Sequence, residues 1–195
     1  MEAKIKVSVL GFSFNQTRSG TYGLVLSEEE GPRRLMVIVG TPEAQSIAFE
    51  LQQSKPPRPL SHDLFKSLLQ QLDIKLLEVL IYRYEDGIYF SKMFLRQNNE
   101  IIELEARTSD AVAIALRTKA PIYVFESILR YQGVVFEDKD SGKTSDNLEE
   151  DELDLSLDYS LLNKEELEVM LKDAIDGEDY ELASLLRDEL KKKED

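Results

Sequence analysis

The stretch LLEVLIYRYEDGIYFSKMFLRQNNEIIELEAR, residues 76–107, leaves a chain few ways to fold. It holds three segments rich in β-branched and aromatic residues, separated by Asp86-Gly87 and Asn98-Asn99. Those pairs tolerate the positive φ angles of tight hairpin turns, so the spacing predicts three antiparallel strands at about 77–84, 88–95 and 101–106. A meander of this kind buries one face and needs something to cover it.

The flanking sequence supplies the cover. Residues 4–10 alternate polar and apolar, and 22–26 and 35–39 are β-rich runs joined by the polar SEEEGPRR, which suits a hairpin with a longer loop. In GTPEAQSIAFEL, Thr41 suits an N-cap, Pro42 the first helical position, and Ala44, Ile47, Ala48 and Leu51 form an apolar stripe ending before Pro56-Pro57. A second helix is predicted from Ser61, with Leu60 and Phe65 as a hydrophobic staple and Leu64, Phe65, Leu68, Leu69 and Leu72 on one face. RTSDAVAIALRTKAP supplies a third, capped near Thr108 or Ser109 and stopped before Pro121, then a short strand at 122–125 and a helical turn at 126–131. The fold class expected is α+β: an antiparallel or mixed sheet packed with about three helices, plus a C-terminal α-helical hairpin.

Charge divides the chain. The formal net charge is −14, and residues 137–195 carry 8 Lys and Arg against 22 Asp and Glu, which accounts for all of it. Residues 1–136 hold 16 charges of each sign, so a local basic surface for a nucleic acid stays open there. The acidic, aromatic-poor stretch 137–159 reads as a flexible linker. Beyond it, Asn163 with Glu166 resembles a capping box, Leu162 and Leu167 a staple, and Leu167, Met170, Leu171, Ala174 and Ile175 a stripe. Gly177-Glu178-Asp179 interrupts it, and Leu182, Ala183, Leu186 and Leu190 form the stripe of a second helix. Two helices this short bury little alone, so the hairpin, 160–193, wants a partner in this chain, in a second copy or in another protein. Open sheet edges point the same way, to a homo-oligomer.

No cysteine is present, which excludes disulfides, thiolate metal sites and cysteine nucleophiles. The start lacks the pattern of a signal peptide and no apolar run reaches about 18 residues, so the expectation is a soluble cytoplasmic protein with no membrane partner. A glycine-rich phosphate loop and a GxSxG elbow are both missing, and one histidine excludes a two-histidine mechanism.

The remaining chemistry concentrates at predicted helix starts. His62 titrates near neutrality, sits beside Asp63 and follows Arg58, a combination able to move a proton and grip a phosphate. Adjacent residues on a helix point about 100° apart, so His62 and Asp63 need not touch. Arg107, Ser109 and Asp110 bracket a second helix start suited to phosphate, although capping explains the same residue types. Glu43 and Glu50 lie seven apart on one helix face and, with Asp63 or Asp110, could hold a divalent metal such as magnesium or manganese. No metal-binding signature accompanies them. Tyr82, Tyr84, Tyr89, Phe90 and Phe94 could stack bases, and equally could be cross-strand pairs of a sheet.

GTPEAQSIAFEL, RPLSHDLFKSLL, RTSDAVAIALR and PIYVFE resemble, in order, the blocks of the bifunctional nuclease family, whose members are described as cleaving RNA and DNA; the resemblance covers residues 3 to about 132. LEVMLKDAIDGEDYELASLLRDELKKK resembles the UVR motif, a helical hairpin for protein–protein contact, through Asp179, Tyr180, Glu181, Ala183 and Arg187-Asp188, with tyrosine where phenylalanine is commoner. The resemblance implies a nuclease module, 1–136, joined to an adaptor hairpin that would contact its partner through Leu171, Tyr180, Ala183 and Arg187. It does not identify catalytic residues. The mechanism expected from the residues is phosphodiester hydrolysis, with Arg58, Arg107 and Ser109 on phosphate, His62 as general acid or base, and Asp63, Asp110 and Glu43 orienting it or holding metal. The alternative is a non-catalytic interaction or adaptor protein of a repair or proteolysis complex. Convergence of Arg58, His62, Arg107 and Asp110 in one exposed pocket separates the two.

Overall fold

The computed structural model describes residues 2–13, 21–135, 153–154, 164–176 and 180–193. Strands β1 (Lys4–Ser13), β2 (Thr21–Glu28) and β3 (Arg33–Gly40) come first, followed by helices α1 (Thr41–Leu51) and α2 (Ser61–Gln71). The meander β4 (Ile74–Glu85), β5 (Ile88–Gln97) and β6 (Glu100–Arg107) follows, then α3 (Thr108–Thr118), β7 (Ile122–Phe125), α4 (Glu126–Gln132) and β8 (Val134–Val135). The sheet runs β6-β5-β4-β7-β1-β2-β3-β8, antiparallel except where β4 and β7 run parallel. It is an α+β fold on a mixed sheet, as the hydrophobic pattern predicts.

Asp86 and Gly87 both have positive φ, 51° and 83°, as the β4–β5 turn requires. The strands outrun the predicted segments by one to three residues at most ends, because ladder pairing extends past the apolar run: Ile74 pairs with Gln97 and Glu85 with Ile88. Two bulges in β4, at Leu76/Glu78 and Ile81/Arg83, increase its twist.

Helix α3 is the centre of the core. Ala111, Val112, Ala113, Ile114 and Ala115 are all buried, which suits a helix enclosed on every side. Its three small alanines let α1 and α2 pack against it while it also touches β3, β4, β5 and β6. A helix touching both β3 and β6, far apart in the strand order, shows that the sheet curls around it. Phe49, Ile47, Leu24, Leu26, Leu35, Val79 and Ile81 complete this core at 1% exposure or less. Each such side chain contributes about 1.5–3 kcal/mol through burial.

The helix starts differ from expectation by one residue. The N-cap of α1 is Gly40, so Thr41 is already helical; that of α2 is Leu60, and that of α3 is Arg107. At α2 the capping group is Asp63, whose Oδ2 accepts the Leu60 N–H at 2.8 Å. Thr108 turns its hydroxyl away from capping and onto the sheet, 2.7 Å from Ser91 Oγ and 3.1 Å from Tyr89 O.

Two residues of the acidic stretch, β9 (Leu153–Asp154), pair with Phe12 and Ser13 of β1. Helices α5 (Lys164–Asp176) and α6 (Tyr180–Lys192) pack together and bury Leu167, Met170 and Ala174 of one with Ala183, Leu186 and Leu190 of the other. Leu171 is half-buried, whereas Ile175, expected in the stripe, is exposed at 51%. The proposed Asn163 cap and the Gly177-Glu178-Asp179 break lie outside the described residues. No helix among the described residues is long and apolar enough to cross a membrane.

Candidate active site

Three helix starts that are far apart in sequence meet at one polar cluster. His62, in the first turn of α2, places Nδ1 2.8 Å from Ser46 Oγ of α1 and Nε2 3.1 Å from Asp110 Oδ1 of α3. Arg107, the N-cap of α3, donates from Nε to Asp110 Oδ2 at 2.8 Å and from Nη2 to Glu43 Oε1 at 2.5 Å. The result is a continuous chain, Glu43–Arg107–Asp110–His62–Ser46, across all three helices.

A second branch runs behind it. The Arg117 side chain, 1% exposed, donates to Asp63 Oδ1 at 2.6 Å and to the carbonyls of Ala113 and Ser46 at 3.1 Å each. A buried guanidinium survives because each of its three nitrogens donates a hydrogen bond and one partner is a carboxylate. Ser46 therefore joins both branches, with its hydroxyl on His62 and its carbonyl on Arg117.

Ionisation follows from these contacts. Burial pushes the Asp110 carboxyl up, but hydrogen bonds from Arg107 and His62 outweigh it and hold the pKa below the usual range. Burial likewise acts on Asp63, and the hydrogen bonds from Arg117 and the Leu60 N–H reverse it, leaving that group low as well. The Arg107 guanidinium is held more firmly protonated, first by Asp110 and then by Glu43.

Beside the cluster, between β3 and the ends of β5 and β6, lies an open cleft of about 510 Å³. Its walls are residues 37–40, 87–90 and 105–107, with Thr108 and Ser109 at the start of α3. Arg107 is common to cleft and cluster, and its side chain is 68% exposed while that of Glu43 is 14% and that of His62 13%. The cation thus faces solvent and the acids and imidazole stand behind it.

Of the residues singled out from sequence, Glu43, His62, Arg107 and Asp110 meet in one network, Asp63 in its second branch, and Ser109 on the cleft wall. Arg58 does not join: it is exposed in the 52–60 segment and has no hydrogen-bond or ion-pair partner among the described residues. His62 and Asp63 do have different partners. The Arg107 guanidinium takes up Glu43 and Asp110 together. Among the described residues no group of three or more His, Asp or Glu side chains is placed to hold a cation.

Ser46 and Arg117 went unnoticed. The available signals were a lone arginine two helical turns after Asp110 in an otherwise apolar helix, and a serine three after Glu43.

An α+β domain with a cation-walled cleft backed by an acid–imidazole cluster is the class that fold and site define. Residues 24–137 match the bifunctional nuclease domain. An uncharacterized protein of Mycobacterium tuberculosis is 37% identical over 149 residues, spanning 76% of this chain and 88% of its own length. Bifunctional nuclease 1 of Oryza sativa subsp. japonica is 27% identical over 180 residues, 87% of this chain and 54% of that protein. Bifunctional nuclease 1 of Arabidopsis thaliana is 27% identical over 180 residues, 86% of this chain and 54% of that protein. The chain belongs to the bifunctional nuclease domain family.

Proposed function

We propose that this chain hydrolyses phosphodiester bonds of RNA, DNA or both in the cleft between β3 and the β5–β6 ends. The observation that carries this is the single network joining Glu43, His62, Arg107 and Asp110 at the wall of that cleft. Arg107 grips a phosphate oxygen with the guanidinium N–H groups that its carboxylate partners leave over, and the Ser109 hydroxyl assists at the α3 start. Asp110 orients His62 through the Nε2–Oδ1 contact, and His62 passes a proton to or from the reacting oxygen. Arg58, exposed and without a partner among the described residues, adds a second phosphate contact.

A specific observation favours a second reading. Both ring nitrogens of His62 are already satisfied within the protein, and Arg107 already holds two carboxylates. On that reading the cluster staples three helices and the module binds a partner without chemistry. The C-terminal hairpin serves either reading as a UVR-type contact with another protein or a second copy. It exposes Val169, Ile175, Tyr180 and Leu185, and Arg187 beside them.

The test is cleavage of labelled single-stranded RNA and DNA by the full chain, with and without magnesium or manganese, beside His62→Ala and Arg107→Ala variants purified identically. Activity lost in both variants supports the nuclease reading. Activity equal in all three, or absent from all, rejects this site. Sedimentation of the full chain against Tyr180→Ala/Arg187→Ala distinguishes self-association through the hairpin from contact with a different protein.

A further inference from the structure

β8 covers the outer edge of β3 only at Arg33 and Arg34, so from Leu35 to Gly40 that edge has no strand partner among the described residues. Two cavities lie along it. One is the cleft at Arg107; the other, of about 330 Å³, has Ser13, Met36, Ile38 and Val134 on one side and Tyr84 and Tyr89 of the β4–β5 hairpin on the other. Both are lined by Ile38, Gly87 and Tyr89, which makes them adjoining ends of one groove.

The second end has its own chemistry. Met36, Ile38 and Val134 are exposed apolar side chains that give it a hydrophobic wall. Tyr84 and Tyr89 are cross-strand partners with ring centroids 4.7 Å apart and planes tilted by 47°, an aromatic surface at its mouth. Gly23 pairs with Ser13 and with Ile38, and an added Cβ there would come within 3.0 Å of Met36 Sδ and 3.3 Å of the Ser13 carbonyl. Ser13, on the cavity wall, is 4% exposed, and its hydroxyl has no hydrogen-bond partner among the described residues. A buried hydroxyl left unpaired is costly, and a ligand atom that pairs with it is correspondingly favoured. Burial, with a lesser effect of Tyr84, pushes the Tyr89 phenol up to about 12, so it stays neutral beside a polyanion.

Flat apolar walls, an aromatic face and one isolated hydroxyl suit a planar ring with a polar edge, and the cavity is large enough for one. We infer that this end of the groove receives one unpaired nucleobase of a single-stranded substrate, packed against Tyr84 and hydrogen-bonded to Ser13, while an adjacent phosphate lies at Arg107 and Ser109. The inference rests on the nuclease reading for that phosphate. It names the substrate class: a paired base cannot leave the stack without an unpairing cost, so loops and single strands are preferred over intact duplex.

Binding is measured apart from cleavage, in EDTA, by fluorescence anisotropy of a labelled oligothymidylate, of a base-free phosphodiester of equal length and charge, and of a duplex. The full chain binds the oligothymidylate about fivefold or more tighter than the base-free strand, the range expected for one stacked base. Ser13→Ala and Tyr84→Ala remove that difference and leave base-free binding unchanged. Ser13→Ala also melts no lower than the parent chain, because it deletes an unpaired buried group. Equal binding of the two strands by the parent chain, no binding of either, or a base preference intact in both variants overturns the inference. Cleavage without base preference rejects the pocket and keeps the nuclease, whereas base-dependent binding without cleavage does the reverse.

Discussion

Replacing Arg117 with methionine tests whether the buried branch of the network holds the three helices together. The substitution keeps length and apolar volume while removing the donors to Asp63 and to the carbonyls of Ala113 and Ser46. The Ala113 and Ser46 carbonyls keep their helical backbone donors and lose only a second hydrogen bond, which costs about 0.5 kcal/mol each. Losing the carboxylate's partner adds somewhat more than that, discounted because the Asp63 side chain is 28% exposed and keeps the Leu60 N–H. The expected loss is about 2 kcal/mol, read as a shift in the urea midpoint, or roughly 6 °C in Tm. Asp63→Asn/Arg117→Met should be no less stable than Arg117→Met alone, since the unpaired charge disappears with its partner. The acid limb should change as well. Asp63 has a folded pKa below its unfolded value, so in that interval the unfolded chain binds more protons and stability falls as pH drops below about 4. Without Arg117 that dependence becomes shallower. A destabilisation under about 1 kcal/mol with an unaltered acid limb would refute the reasoning.

Other outcomes follow from the same geometry. Arg107→Ala should weaken substrate binding yet change stability by less than about 1 kcal/mol, since the guanidinium side of its ion pairs is 68% exposed, as chemical denaturation and a KM measurement will show. His62→Ala and Asp110→Asn should each lower cleavage by roughly a hundredfold or more in single-turnover assays, with substrate affinity changed far less. Gly87→Ala should cost about 1 kcal/mol or more on thermal melting despite open space around the site, because φ there is 83°.

Much of this architecture was legible in the linear pattern. Asp86-Gly87, Asn98-Asn99 and the period-two alternation mark the meander, and Ala-rich spacing between Arg107 and Pro121 marks the central helix, because these are local demands on φ and on apolar periodicity. Helix starts at Thr41 and Ser61 slipped by one residue: Thr41 and Ser61 are already helical, and at α2 the Asp63 carboxylate reaches back to the Leu60 N–H, which makes Leu60 the cap. Thr108 went to Ser91 and the Tyr89 carbonyl for a partner that sequence adjacency does not reveal.

The candidate site divides along the same line. Residue types at helix starts single out Glu43, His62, Asp63, Arg107 and Asp110, because a histidine and charged groups near exposed backbone donors are legible one by one. Which of them touch is a property of the packing. α1, α2 and α3 converge only because α3 is small enough to sit within the curled sheet, and that convergence pairs His62 with Asp110 rather than with its neighbour Asp63. Ser46 and Arg117 became meaningful only when two helices brought a buried guanidinium against a carbonyl 71 residues away. The groove along β3 belongs wholly to this second kind of information. A free strand edge, a hairpin leaning toward it and an unpaired Ser13 hydroxyl arise from long-range pairing, and local sequence sets none of the distances between them.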